Sequence, residues 1–504
     1  MRLKKAIINT SIAILSEFVT VICGLILPRM ILATFGSKYN GVVSSITQFL
    51  QCIALLNAGI SGVTRAALFK PLADKDKYSI SAIVKSTERY MRRIAKIFVA
   101  VLIVFALIYP LIVKSEFEWV FTFSLVLIIG ISTFAQYFFG TAYQMLLSAD
   151  QRNYIVSGFT TISIILNTII AIIIIKMNGT IHAVKLGSAA IYVLQPIILR
   201  KYVVMKYGIL NKVIVDDSAL KQRRYALAHT FANYVHDNTD IVVLTLFSTM
   251  KEVSVYVIYN LVISNIRKIL KSFTAGIEAA FGNMMAKKEN LVLKKTIGEF
   301  ETFMFWSSSI FFTCTTLLIV QFVDIYTKGI IDANYHRPLF AYTFTVAEYF
   351  YCIRIPYYSV IQAAGRYKET QVGALLEAVI NLVISLALVK WLGILGVAIG
   401  TLIAMIFRTL QYGFYVYREI LHTNLIGMIK KVLVYLGGIL LSIGMSRLLF
   451  LDRILFTEFG DWIISALCIF LNVFLVITAF TIIFYRKDVQ GISGYVKRIL
   501  KKGK

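Results

Sequence analysis

The side chains able to do chemistry in this chain are charged groups set inside otherwise apolar runs. The densest set is Arg267, Lys268 and Lys271, near the middle of the run 253–283. On a helix, Arg267, Lys271 and Glu278 fall within about 40° of one another, which makes a cationic stripe ending in one acid. Arg holds phosphate oxygens by forked, charge-assisted hydrogen bonds and Lys supplies point charge, so the stripe is a candidate anion site. Arg354 and Arg408 are central in runs of their own and Arg29 lies well inside the first run, while Arg65 and Lys185 lie nearer run ends, where long side chains reach the interface. All but Lys185 of these cations join the candidate anion site. The preceding run carries the complement: His229, Asn233, His236 and Asp240 recur at helical spacing, with Asp237 beside them. Asp237 and Asp240 are candidates for pairing with the basic cluster or for holding Na⁺ or H⁺, and His236 for sensing protons near neutral pH. Glu17, Glu348 and Glu377 are isolated acids in other runs; Glu17, Glu278 and Glu348 are further coupling or ion-pair candidates. Six residues separate Glu348 from Arg354, a poor spacing for pairing along one helix.

Other chemistry has little support. The chain has no glycine-rich phosphate loop ending in Gly-Lys-Ser/Thr and no His-Glu-x-x-His zinc motif, so it reads as a protein without catalytic residues, resident metal or cofactor. Cys23, Cys52, Cys314, Cys352 and Cys468 lie in apolar runs, form no Cys-x-x-Cys pair and read as small buried packers. Asp74-Lys75-Asp76 looks like a sugar-nucleotide motif but sits in a short basic loop, where solvated charges are the simpler reading. Tyr342, Tyr349, Tyr351, Tyr357 and Tyr358 are candidates to hold sugars, although with 28 Tyr in the chain belt and packing roles come first.

The elements that must position these groups follow from composition. Of 504 residues 58% are hydrophobic and 15% charged, against roughly 25% charged in soluble domains, so this is a membrane chain. A membrane helix needs about 20 mostly apolar residues. Fourteen stretches qualify: 9–35, 40–68, 94–113, 119–147, 155–176, 181–204, 225–248, 253–283, 300–322, 338–362, 371–390, 393–417, 430–450 and 462–485. They are too long and too uniformly apolar for barrel strands, so the expected fold is an all-α integral membrane protein of about 14 transmembrane helices. The basic start MRLKKAIINTSIAIL lacks a small-x-small cleavage site and reads as a retained first helix. With the N-terminus inside, 35 Lys/Arg fall on the cytoplasmic side and 9 outside, which predicts both termini cytoplasmic. Much of the excess of 52 Lys+Arg over 26 Asp+Glu is then topology rather than a nucleic-acid surface.

The chain also repeats. An offset of 214 superposes Ala149 on Ala363, Arg152 on Arg366, Asn167 on Asn381 and Gly179 on Gly393. The expected organisation is a six-helix lobe over 1–205, a cytoplasmic linker over 206–221, a second six-helix lobe over 222–418, two further helices over 430–485 and a basic cytoplasmic tail over 486–504.

Six plus six plus two helices resembles the multidrug/oligosaccharidyl-lipid/polysaccharide exporter superfamily, and within it the bacterial flippases for lipid-linked oligosaccharides (Wzx-type, O-antigen/polysaccharide). The stretch LPRMILATFGSKYNGVVSSITQFLQCIALLNAGISGVTRAAL, residues 27–68, is similar to their opening hairpin, and DNTDIVVLTLF with VSVYVIYNLV, within 237–262, to the start of their second lobe. The resemblance implies alternating access between two lobes. The cargo would be a polyprenyl-pyrophosphate-linked oligosaccharide carried from the inner to the outer leaflet of the bacterial cytoplasmic membrane, with Na⁺ or H⁺ coupling. Membrane lipids, a polysaccharide polymerase and glycosyltransferases are the implied partners. Two alternatives stand beside it: a cation-coupled multidrug exporter of the same superfamily, and a membrane polysaccharide polymerase or ligase. The second would carry a large outer loop, whereas the longest outer loops here, 323–337 and 451–461, are short.

Overall fold

Backbone amides find no water partner in lipid, so apolar runs close their hydrogen bonds internally as helices. The computed structural model describes residues 2–54, 60–210, 213, 238–274, 277–449 and 458–502, and among these residues it contains helices and no strand. The helices are α1 (Arg2–Phe35), α2 (Ser37–Ala54), α3 (Ile60–Asp74), α4 (Lys77–Ile112), α5 (Trp119–Ala149), α6 (Asn153–Lys176) and α7 (Ile181–Tyr207). There follow α8 (Asn238–Phe247), α9 (Met250–Ser272), α10 (Ile277–Ala286), α11 (Asn290–Tyr326), α12 (Pro338–Ile353), α13 (Ile355–Ala363), α14 (Tyr367–Leu392), α15 (Ile394–Tyr415), α16 (Ile426–Leu449) and α17 (Phe459–Lys502). The protein is an all-α, multi-pass membrane protein.

Among the described residues, eleven helices are long and apolar enough to cross a membrane, fewer than the fourteen spans read from the sequence. One of the three missing spans is broken by a proline, and the other two fall partly outside the described residues. The expected span 338–362 is two helices of 16 and 9 residues, because Pro356 has no N–H for the Cys352 carbonyl and its ring crowds that carbonyl. Most of 225–248 lies outside the described residues, leaving α8, and 40–68 is represented by α2 and α3 on either side of 55–59, which also lie outside them. The span 253–283 stops at Ser272. There the Ser272 hydroxyl donates to the Ile269 carbonyl (2.6 Å) and the Thr274 hydroxyl to the Lys271 carbonyl (2.7 Å), local bonds that compete with helix continuation. Glu278 therefore sits on α10 and does not share a continuous helical face with Arg267 and Lys271. The closely spaced spans 371–390 and 393–417 are separate helices, hinged at Gly393 with φ +56° and ψ −131°, a backbone shape that side chains other than glycine rarely adopt.

The chain divides into two compact units, Met1–Ser254 and Val255–Lys504. In the first, α8 and the first turn of α9 pack on α2. Asn40 donates to the Ser254 hydroxyl (2.8 Å), Ser45 pairs with Thr245 (2.8 Å), and a Cβ on Gly41 would meet the Met250 carbonyl oxygen at 1.8 Å, so only glycine allows this approach. A core at one end joins α3, α4, α5 and α7 through Leu68, Val84, Leu146 and Leu199, all fully buried. In the second unit the corresponding core joins α11 to α16 and α17 through Phe305, Leu318, Tyr435, Ile469 and Val473.

Among the described residues, two stretches form one wider, π-helical turn, a feature often found at functional sites. In α5 it spans Gln136–Gly140 and carries Phe138; after α15 it spans Val416–Ile420 and carries Tyr417.

Candidate functional site

The second unit gathers three of the arginines that the sequence singles out, Arg267, Arg354 and Arg408, and sets each against a carboxylate. Arg267 of α9 donates to both Glu348 oxygens (3.1 and 3.3 Å), bringing together residues 81 apart in the chain. Arg354, at the break between α12 and α13, donates to Glu377 of α14 (2.7 Å), whose other oxygen lies 3.2 Å from Arg408 of α15. Tyr351 lies between two of them, its ring 5.2 Å from the Arg267 guanidinium and 4.5 Å from that of Arg354. Arg408 also donates to the Thr370 carbonyl (3.1 Å), Gln411 (2.6 Å) and the Tyr412 hydroxyl (2.6 Å). Space for it depends on Gly373, where a Cβ would stand 2.4 Å from Nη1. Among the described residues, three guanidinium groups and two carboxylates thus form a largely buried set with one more positive than negative charge.

The other sequence candidates are dispersed. Lys268 and Lys271 are exposed on α9 and Glu278 accepts from the Ser359 hydroxyl (3.2 Å). Arg29 is half-buried on α1, Arg65 is exposed on α3, Glu17 is exposed on α1 and Asp240 is buried on α8. His229, Asn233, His236 and Asp237 lie outside the described residues. Among the sugar-binding candidates, Tyr357 is fully buried and donates to Glu301, and Tyr349 is half-buried and shares a hydrogen bond with Ser309 (3.3 Å).

Two constellations escape the sequence reading. The first is built on Glu301 of α11, 1% exposed. It accepts from Lys431 of α16 (2.8 Å), from Tyr357, and from Tyr417 (3.0 Å to each oxygen). Asp488 of α17 joins the set, accepting from Thr302 (2.5 Å) with Lys431 at 3.8 Å. The second lies in the first unit on α4. Buried Glu88 binds Lys85 (3.2 Å), Arg92 (2.8 Å) and Arg200 of α7 (3.3 Å) beside a cavity of about 540 Å³. Five cations line that cavity (Lys85, Arg89, Arg92, Arg93 and Lys96), with Phe138 and Val213. Their spacing of three and four residues along one helix face is the signal the sequence offers for them.

No family model matches this chain, and no curated protein does either. Solved structures do. The lipid II flippase MurJ in an inward closed conformation is similar over 96% of this chain and 100% of that one, with TM-score 0.68 and 16% identity. An inward-facing multidrug resistance MATE family transporter of the MOP superfamily is similar over 82% of this chain and 98% of its own (TM-score 0.60, 14% identity). The eukaryotic MATE transporter AtDTX14 is similar over 87% and 99% (TM-score 0.57, 12% identity). At these identities the likeness is one of architecture: the chain has the fold of the MurJ and MATE transporters.

Proposed function

We propose that this protein is a flippase, moving a polyprenyl-pyrophosphate-linked oligosaccharide from the inner to the outer leaflet of the bacterial cytoplasmic membrane for surface polysaccharide assembly. The fold supports transport by alternating access, and the match to a lipid flippase extends over 96% of the chain. The observation that carries the cargo assignment is the buried arginine set of the second unit. Uncompensated charge at the bilayer centre costs about 2.5–3.5 kcal/mol on insertion scales, so such groups are retained where they meet a partner or a substrate. Arg267, Arg354 and Arg408 outnumber Glu348 and Glu377, and the surplus suits an anionic headgroup. In this reading the polyprenyl tail stays in lipid, Na⁺ or H⁺ supplies the driving force, both termini are cytoplasmic, and glycosyltransferases and a polymerase act before and after the step.

The MATE likeness favours a second reading, a cation-coupled multidrug exporter. It has less support, because among the described residues of this set Arg267, Arg354 and Arg408 outnumber Glu348 and Glu377, which disfavours a cationic cargo. Reconstitution separates the two. Proteoliposomes containing the protein should expose a fluorescent lipid-linked oligosaccharide to an added glycosidase, and Arg267→Gln with Lys271→Gln should slow this about tenfold while leaving membrane insertion intact. Normal flipping by the double variant removes the anion role of these residues; drug efflux without flipping replaces the flippase reading with the exporter one.

A further inference from the structure

Helix α4 presents Lys85, Arg89, Arg92, Arg93 and Lys96 on one side, at steps of four, three, one and three residues. Like charges one turn apart weaken a helix by about 0.2–0.5 kcal/mol per pair, so a face of five cations is costly unless anions meet it. Glu88 meets part of it. Buried at 5% exposure, it fixes Lys85 and Arg92 on its own helix and Arg200 from α7, and Arg200 in turn donates to the Tyr143 hydroxyl (3.2 Å). The Arg92 guanidinium is held 4.9 Å over the Phe138 ring, placed there by the π-helical turn of α5, and its Nε is buried with no hydrogen-bond partner among the described residues. Arg89, Arg93 and Lys96 are exposed and form no ion pair among the described residues. The result is a buttressed concave wall with five cations and one carboxylate, its volume of about 540 Å³ within the ~300–1,000 Å³ usual for small-molecule sites.

Its place on the helix narrows the ligand. At 1.5 Å per residue, the 36 residues of α4 run about 54 Å, well beyond the ~30 Å of a bilayer core. The lipid-facing stripe begins immediately after the last cation: Ile97, Val101, Val104 and Ile108 are exposed at 49, 39, 55 and 49%. The cavity therefore lies where headgroups meet water. Three guanidinium forks within five residues match the oxygens of adjacent phosphate groups better than a single carboxylate. We propose that this cavity is a binding site for a pyrophosphate group presented at the membrane surface. As the receiving site for a lipid-linked cargo it rests on the flippase reading; as a pyrophosphate site it stands without it.

The test uses the full-length protein in detergent and two probes, inorganic pyrophosphate and farnesyl pyrophosphate, titrated calorimetrically into wild type and into the triple variant R89Q/R93Q/K96Q. These three side chains are exposed, so thermal unfolding should be unchanged. Binding of pyrophosphate to the wild type, weakened at least tenfold in the triple variant and largely kept in R89K/R93K, supports the site. Tighter binding of the farnesyl probe identifies a lipid headgroup as the source, and equal binding a free anion. Absence of binding to the wild type, or equal binding by wild type and triple variant, overturns the proposal. Flipping by the wild type alongside unchanged binding in the triple variant removes the site and leaves the flippase reading intact; binding without any flipping does the reverse.

Discussion

Glu88 and Glu301 stand 213 residues apart in two matching helices, and their surroundings are opposite. α4 and α11 also begin 213 residues apart, at Lys77 and Asn290, are 36 and 37 residues long, and each follows a pair of shorter helices. After Glu88 come Arg89, Arg92, Arg93 and Lys96; at the same positions after Glu301 come Thr302, Phe305, Trp306 and Ser309. The aromatic version attracts α16 and α17. Phe305 packs on Tyr435 with ring centroids 5.6 Å apart, Trp306 donates to Thr478 (3.0 Å), and Glu301 is sealed beneath with Lys431. The cationic version resists an apolar cover, since burying several like charges costs several kcal/mol per ion, and the face remains an open cavity. One scaffold thus yields a closed structural joint in one unit and an open charged wall in the other, and the difference lies in four side chains.

The largest expected effect comes from removing the two carboxylates in turn. Glu301→Ala leaves Lys431 buried without its partner and should cost about 3–5 kcal/mol, seen as a lower thermal unfolding temperature in detergent. Glu88→Ala should cost about 1 kcal/mol, because Arg92 and Arg200, 41% and 31% exposed, can turn to water. Equal losses would break the comparison, and recovery in Glu301→Leu with Lys431→Met would sharpen it. The next effect concerns the matching positions 93 and 306. Trp306→Ala should cost about 2–3 kcal/mol, below the range for a fully buried Trp because the residue is half-buried. Arg93→Ala should stay within about 0.5 kcal/mol, as is usual for exposed sites; chemical denaturation of both variants measures it. The smallest effect lies at the helix starts. Asp76 caps α4, accepting from the Tyr78 and Ser79 amides (3.0 and 3.1 Å), and the Ser79 hydroxyl, followed by these amides, holds its carboxyl below the ordinary aspartate range; Glu289 before α11 makes no such bond. A depressed carboxyl stabilises fully above the unfolded-state value and ceases to as pH falls through the folded one. Amide exchange at Tyr78 and Ser79 should therefore be slower than at Leu291 and Val292 near neutral pH, and Asp76→Ala or acid should erase the gap.

The sequence disclosed the fold class because hydropathy is a local property and lipid enforces it: among the described residues most of the apolar runs closed into single helices, and Gly393 marked the hinge between two of them. The break at Pro356 was legible as well, since a ring without an N–H interrupts any helix, but the apolar run around it concealed the interruption. The end of α9 was harder to read, because hydroxyl bonds at Ser272 and Thr274 compete with the helix over only a few residues. Asp76, which the sequence placed in a solvated loop, serves as a helix cap.

By itself, then, the sequence determined that the chain is an all-α membrane protein, which residues place charge among its apolar runs, and that basic groups predominate. Only the tertiary structure decided which charges meet. Arg267 and Glu348 are 81 residues apart, and Lys431 and Glu301 are 130 apart. It also decided that the cations of α4, countable in the sequence as loop charge, face a common cavity. Helical periodicity fixes the face on which a side chain lies, but partner and burial depend on what packs against that face, and that is set by residues far along the chain.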